Sequence, residues 1–178
     1  MSLKPPEKYP LSRAQWITWT ALFLALALVL PIGFHAFGIA GRLFLPMHLP
    51  VLLAGLLIGP GAGLLVGILA PALSHLMTGM PPTYAVPLMS LELPIYGLVA
   101  GLCYWRFRWN AVVALIIAMI LGRLMFGLAL VILGRFMELP YTATVFFSAG
   151  GAVVSGIPGV ILQLFLIPVI VAAVRRRW

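Results

Sequence analysis

The order of apolar and polar positions divides the chain into six apolar stretches separated by short breaks. Residues 1–13 are polar, carry Lys4, Lys8, Arg13 and three prolines, and read as a short tail. The first apolar stretch runs from about Ala14 to Phe34, with Trp16 and Trp19 near its start, where interfacial aromatics are expected. Residues 35–45 read as a loop containing Arg42. A second stretch, about Pro46 to Ile58, is broken from a third, about Leu64 to Thr78, by Gly59-Pro60-Gly61-Ala62-Gly63. Gly79-Met80-Pro81-Pro82-Thr83 is the next break, followed by a fourth stretch from about Ala85 to Tyr104. The basic, aromatic collar Trp105-Arg106-Phe107-Arg108-Trp109-Asn110 leads into a fifth, about Ala111 to Arg135, and the turn Glu138-Leu139-Pro140 into a sixth, about Thr142 to Val174. The sixth is long enough to hold a tilt, or a break at Gly156-Ile157-Pro158-Gly159. About 20 apolar residues are needed to span the hydrocarbon core as a helix. The pattern therefore predicts an all-α integral membrane protein, one membrane domain over residues 1–178 with six transmembrane helices. Helices two and three are short or broken, as two helices or one broken hairpin.

Composition narrows this further. The chain of 178 residues is 63% hydrophobic and 8% charged, against roughly 25% charged in soluble domains. That excludes a soluble globular enzyme and a disordered chain. Net charge is +8, but the cations are split among the tips of apolar stretches and form no continuous stripe, which argues against nucleic-acid binding. Instead the cations set orientation. Lys4, Lys8, Arg13, Arg106, Arg108, Arg175, Arg176 and Arg177 share one side, against Arg42 and Arg135 on the other. The positive-inside rule places both termini in the cytoplasm. The first stretch is too long for a cleavable signal and no A-x-A site follows it, so it is expected to remain as a span. The single cysteine, Cys103, excludes an internal disulfide and reads as an apolar side chain near a helix end.

Little supports catalysis. There is no Asp, no nucleotide-binding Gly-rich loop with Lys, and no H-E-x-x-H spacing. Two residues stand out, Glu92 and Arg123, because both lie inside apolar stretches, where a charge costs about 2.5–3.5 kcal/mol on insertion scales. They either contact a polar solute or pair with each other and lock the fourth and fifth helices, and the two roles are compatible. Met47, His48, His75, Met77 and Met80 include soft metal ligands. The plainer reading is that Met fills packing gaps and His48 hydrogen-bonds at a helix start, so no metal and no cofactor is expected. Aromatics gather at the expected outer ends (Phe34, Phe44, Tyr84, Tyr141, Phe146 among them), as an interfacial belt or, if a subset turns inward, as a pocket for a small planar ligand. Ala21-x-x-x-Ala25 and the glycines at 55, 59, 63, 67, 97 and 101 are small-residue faces, suited to close packing within the chain or, for the first helix, against another membrane subunit.

These residues resemble a family. Leu45-Pro46-Met47-His48-Leu49-Pro50-Val51-Leu52-Leu53-Ala54-Gly55, Gly59-Pro60-x-x-Gly63-Leu64-x-x-Gly67, Pro71-x-Leu73-Ser74 and Thr78-Gly79-Met80-Pro81-Pro82 look like the substrate-binding S components of energy-coupling factor (ECF) transporters. Ala21-x-x-x-Ala25, the size, the six spans and cytoplasmic termini match as well. The resemblance covers nearly the whole chain. It implies a subunit of the prokaryotic cell membrane that binds a vitamin or vitamin precursor tightly from outside. Such a subunit docks through its first span, at Ala21 and Ala25, on a scaffold (T) subunit that carries two cytoplasmic ATPases. It further implies substrate contacts from Phe44, His48, Met80, Tyr84, Met89, Glu92, Tyr96, Arg123, Phe126, Tyr141 and Phe146. Cobalt- and nickel-specific relatives use Met-His at a free N-terminus; Met47-His48 is internal here, so that chemistry does not carry over. The alternatives are an assembly subunit without a ligand, in which Glu92 and Arg123 only pair, and a self-sufficient facilitator with a polar path across the membrane. Against the latter, the inner halves of the last two spans are mostly apolar, and only Gln163 interrupts the sixth.

Overall fold

The computed structural model describes residues 11–36, 44–139, 142, 154 and 156–175. Six helices order these residues: α1 (Arg13–Ala36), α2 (His48–Leu57), α3 (Pro60–Thr78), α4 (Ala85–Gly101), α5 (Ala111–Leu133) and α6 (Ile157–Arg175). A π-helical turn over Leu102–Arg106 extends α4. Five of the helices are long and apolar enough to cross a membrane; α2, with 10 residues, is not. Prolines lie inside α1 (Pro31), α3 (Pro71), α4 (Pro94) and α6 (Pro168). Membrane helices tolerate them where neighbouring groups satisfy the freed carbonyls.

The Gly59–Gly63 segment makes two helices rather than one broken hairpin. Gly59 has φ 130°, a conformation that glycine adopts without a Cβ clash, and Pro60 starts α3 at a position where its missing N–H costs nothing. In the sixth stretch the described helix begins at Ile157, just after Gly156, with Pro158 in the first turn; most of residues 142–155 lie outside the described residues. The fifth helix ends at Leu133, two residues before the expected boundary, where Gly134 caps it.

Helix α2 is apolar all round, and nine of its ten residues are buried, the signature of a central helix. α3 and α4 form its walls. Their contact is built from small residues: Ala62, Gly63, Val66, Gly67 and Ala70 on α3 face Leu93, Pro94, Gly97, Ala100 and Gly101 on α4. A Cβ on Gly63 or Gly97 would collide with the backbone of the other, and one on Gly101 with the backbone of Pro60. Small residues allow this approach, and in lipid the gain comes from van der Waals contact. Trp105 Nε1 donates to Leu56 O at 3.0 Å and ties the π-helical turn to the end of α2. α1 packs on α2 and α3 through Thr20, Phe23 and Ala27, while Ala21, Ala25, Ile17 (62% exposed) and Val29 (60%) face outward.

Gly97→Leu is expected to lower the melting temperature of the detergent-purified chain by several degrees, at about 2–4 °C per kcal/mol lost. Gly33→Ala, where a Cβ meets nothing within 4 Å, should leave it unchanged or slightly higher. Equal melts for the two variants would mean that the glycine seam is not tightly packed.

Candidate functional site

Glu92 and Tyr96 are one turn apart on α4, so their side chains share a face. That face meets α5 and the start of α2. Arg123 Nη1 of α5 donates to Glu92 Oε1 at 2.9 Å, and Tyr96 Oη donates to the same oxygen at 3.3 Å. His48 Nε2, at the start of α2, lies 3.8 Å from Glu92 Oε2. The His48 and Tyr96 rings meet edge to face, with centroids 4.9 Å apart. Gly122 precedes Arg123, and a Cβ there would overlap the Tyr96 ring, so the glycine makes the space that Tyr96 fills. Glu92 is 1% exposed and His48 3%.

The Glu92–Arg123 pair answers the cost of burying a charge in an apolar helix. A buried carboxylate without its cation is strongly destabilising, and pairing with added hydrogen bonds offsets most of that cost. The expected lock between the fourth and fifth helices is thus present. His48 is less well served. Neither ring nitrogen has a hydrogen-bond partner among the described residues, whereas a buried unsatisfied polar group costs about 1–3 kcal/mol.

An apolar layer borders the cluster. Phe126, one turn beyond Arg123 on α5, packs with Leu88, Ala129 and Leu130, and Met89 lies between this group and the main core. Six of the residues singled out from the sequence therefore come together: His48, Met89, Glu92, Tyr96, Arg123 and Phe126. Phe44, Met80 and Tyr84 sit on connections at the same end of the bundle. Phe44 is half-buried with its ring 6.0 Å from Phe34, Met80 is exposed, and Tyr84 directly precedes α4. Tyr141 and Phe146 lie outside the described residues.

Several residues that the sequence marked without giving them a place at the site contribute to it. Gln163 of α6 is buried and its Nε2 donates to Leu45 O at 3.3 Å, the carbonyl that also accepts the His48 N–H at 3.1 Å. Leu45 has φ 50°, and these two bonds hold the strained turn that aims His48 into the bundle. A lone Gln in an apolar helix was the available signal. The connection after α3 is tied by its last turn: Ser74 Oγ donates to Met80 O at 2.7 Å and His75 Nδ1 to Pro81 O at 2.8 Å. His75 is thereby committed to this loop, Met77 is exposed, and the described residues contain no group of three His, Cys, Asp or Glu placed for a metal. A groove of ≈ 320 Å³, lined by Trp16, Ile58 and Pro60 among others, lies at the opposite end of α2 from His48.

Five long apolar helices, with a buried ionic cluster between α4, α5 and the start of α2, define a multi-pass membrane protein. Residues 15–171 match the family described as ECF transporter, substrate-specific component, and the chain belongs to that family. It is thus a substrate-binding component of a transporter and not an enzyme. Comparison with curated proteins and with solved structures gave no match.

Arg123→Met leaves the Glu92 charge without its cation and should cost about 3–5 kcal/mol. Adding Glu92→Gln should restore much of that loss. A double-mutant cycle on melting temperature checks this; additive losses in the two single variants would show that the pair carries no coupling.

Proposed function

We propose that the chain binds a small vitamin or vitamin precursor with high affinity from outside the cell and delivers it through a scaffold subunit driven by two ATPases. The observation that carries the reading is the buried polar cluster of His48, Glu92, Tyr96 and Arg123, at the end of the bundle where the α3–α4 connection and the residues before α2 meet. Intramembrane ionisable residues that face the protein interior commonly mark a solute path or binding site. Phe44, Met80, Tyr84, Met89 and Phe126, and by family resemblance Tyr141 and Phe146, complete the proposed contact set. The termini lie in the cytoplasm on this reading, supported by the eight cations gathered on that side. That orientation puts the cluster in the outer half of a prokaryotic cell membrane, with its entrance outward.

Energy comes from partners in this reading, because the sequence carries no nucleotide-binding motif. The docking face is α1. Its outward side shows Ala21 and Ala25 within an apolar surface of Ile17, Leu22 and Val29, a small-residue strip that lets a partner helix approach closely.

A thermal-shift screen of the purified chain against vitamins and their precursors tests the binding half. One saturable hit at a hundredfold excess over Kd corresponds to about 2.7 kcal/mol of stabilisation. A panel without any hit, on a well-folded protein, would favour an assembly subunit with no ligand. Ala21→Trp or Ala25→Trp tests the docking half. Each should abolish uptake and co-purification with the scaffold while leaving the ligand-induced shift intact. Equal loss of binding would place α1 in the pocket or the fold instead.

A further inference from the structure

Within the cluster, Arg123 Nη1 and Tyr96 Oη both donate to one Glu92 oxygen. His48 is different. The residue is 97% buried, its ring meets the Tyr96 ring in a T-shaped contact, and both nitrogens are without a hydrogen-bond partner among the described residues. Glu92 Oε2 is 3.8 Å from Nε2, beyond hydrogen-bond reach. Packing alone does not explain a histidine here, since an apolar side chain fills space without presenting an unsatisfied nitrogen. Yet the backbone works to keep it in place: its N–H and Gln163 both bond Leu45 O and hold the turn that aims the ring inward. A neutral imidazole offers one N–H donor and one nitrogen acceptor. Charge narrows the matching ligand. Glu92 and Arg123 cancel, so a charged group inserted beside them would stand uncompensated in the membrane interior.

We propose that His48 is the specificity-determining contact of the transported solute, and that the edge of the solute meeting it is uncharged and carries a hydrogen-bond donor or acceptor. A small amide or a neutral nitrogen heterocycle fits; a carboxylate does not. The inference rests on the solute-binding reading above and identifies the class of ligand within it.

Melting of the detergent-purified full chain tests it in two arms. Without any solute, His48→Phe removes two unsatisfied nitrogens and should raise the melting temperature by about 2–4 °C. A lowered melting temperature would make His48 a structural residue and overturn the proposal. In the second arm the wild-type chain is titrated with matched neutral and anionic probes: nicotinamide against nicotinate, pantothenol against pantothenate, and benzimidazole against benzoate. The expected result is a saturable rise with a neutral member, absent with its anionic partner. That rise should be lost in His48→Phe and partly kept in His48→Gln, which retains a donor and an acceptor. A larger shift with an anionic member overturns the uncharged edge while leaving solute binding intact. A shift that survives His48→Phe overturns the role of His48. No shift with any probe, beside an unaltered wild-type melt, counts against the solute-binding reading and takes this inference with it.

Discussion

A carboxylate in the middle of an apolar helix has to be answered where it stands. Glu92 is the one acidic residue inside an apolar stretch, since Glu7 belongs to the tail and Glu138 to a turn, and Arg123 is the one cation inside such a stretch. Their hydrogen bond fixes the rotation of α5 relative to α4. With that rotation set, Gly122 faces the Tyr96 ring and Phe126 faces the Leu88 layer. Tyr96 then reaches Glu92 from one turn away and makes a T-shaped ring contact with His48. Much of the arrangement of α4, α5 and the start of α2 thus descends from one charge that lipid would not accept.

The length of α2 explains why His48 is available to the cluster at all. Ten residues of helix extend about 15 Å, half the hydrocarbon thickness. A helix that short, with its far end tied to Trp105, begins inside the bundle and not at its surface. Its first residue is therefore buried, although first residues of helices usually meet water. The glycine seam keeps this geometry stiff. Where Gly63 and Gly97 touch backbone to backbone, neither helix can shift without opening a void or a clash.

Five long helices were plain in the sequence, because an apolar stretch of about 20 residues has few other uses, whereas the second stretch forms a helix of only 10 residues. Glu92 and Arg123 were legible for the same reason, as charges in the wrong solvent, and their pairing was one of two readings that geometry alone could weigh. The role of the glycines was half legible. Their spacing of four marked a face, but only the packed helices show that Gly63 and Gly97 meet each other within the chain. His48 and Gln163 were harder. Each reads as an isolated polar residue, and nothing in one dimension joins Gln163 to the Leu45 carbonyl, 118 positions away, that also accepts the His48 N–H. Gly122 had no signal, since its meaning is the ring of a residue on another helix.

The two faces of α1 connect these pieces. Inward, Thr20, Phe23 and Ala27 lie against α2 and α3; outward, Ala21 and Ala25 lie open. α2 carries His48, and α3 carries the seam that grips α4 and hence Glu92 and Tyr96. On the proposed reading, a partner pulling on α1 therefore pulls on a stiff block of three helices that includes most of the cluster. Such a block transmits force by moving as a body, because its glycine contacts leave no room for internal sliding. On the same reading, a solute reaches the cluster past the connections at the His48 end: the Leu45 turn and the loop held by Ser74, His75 and Thr78.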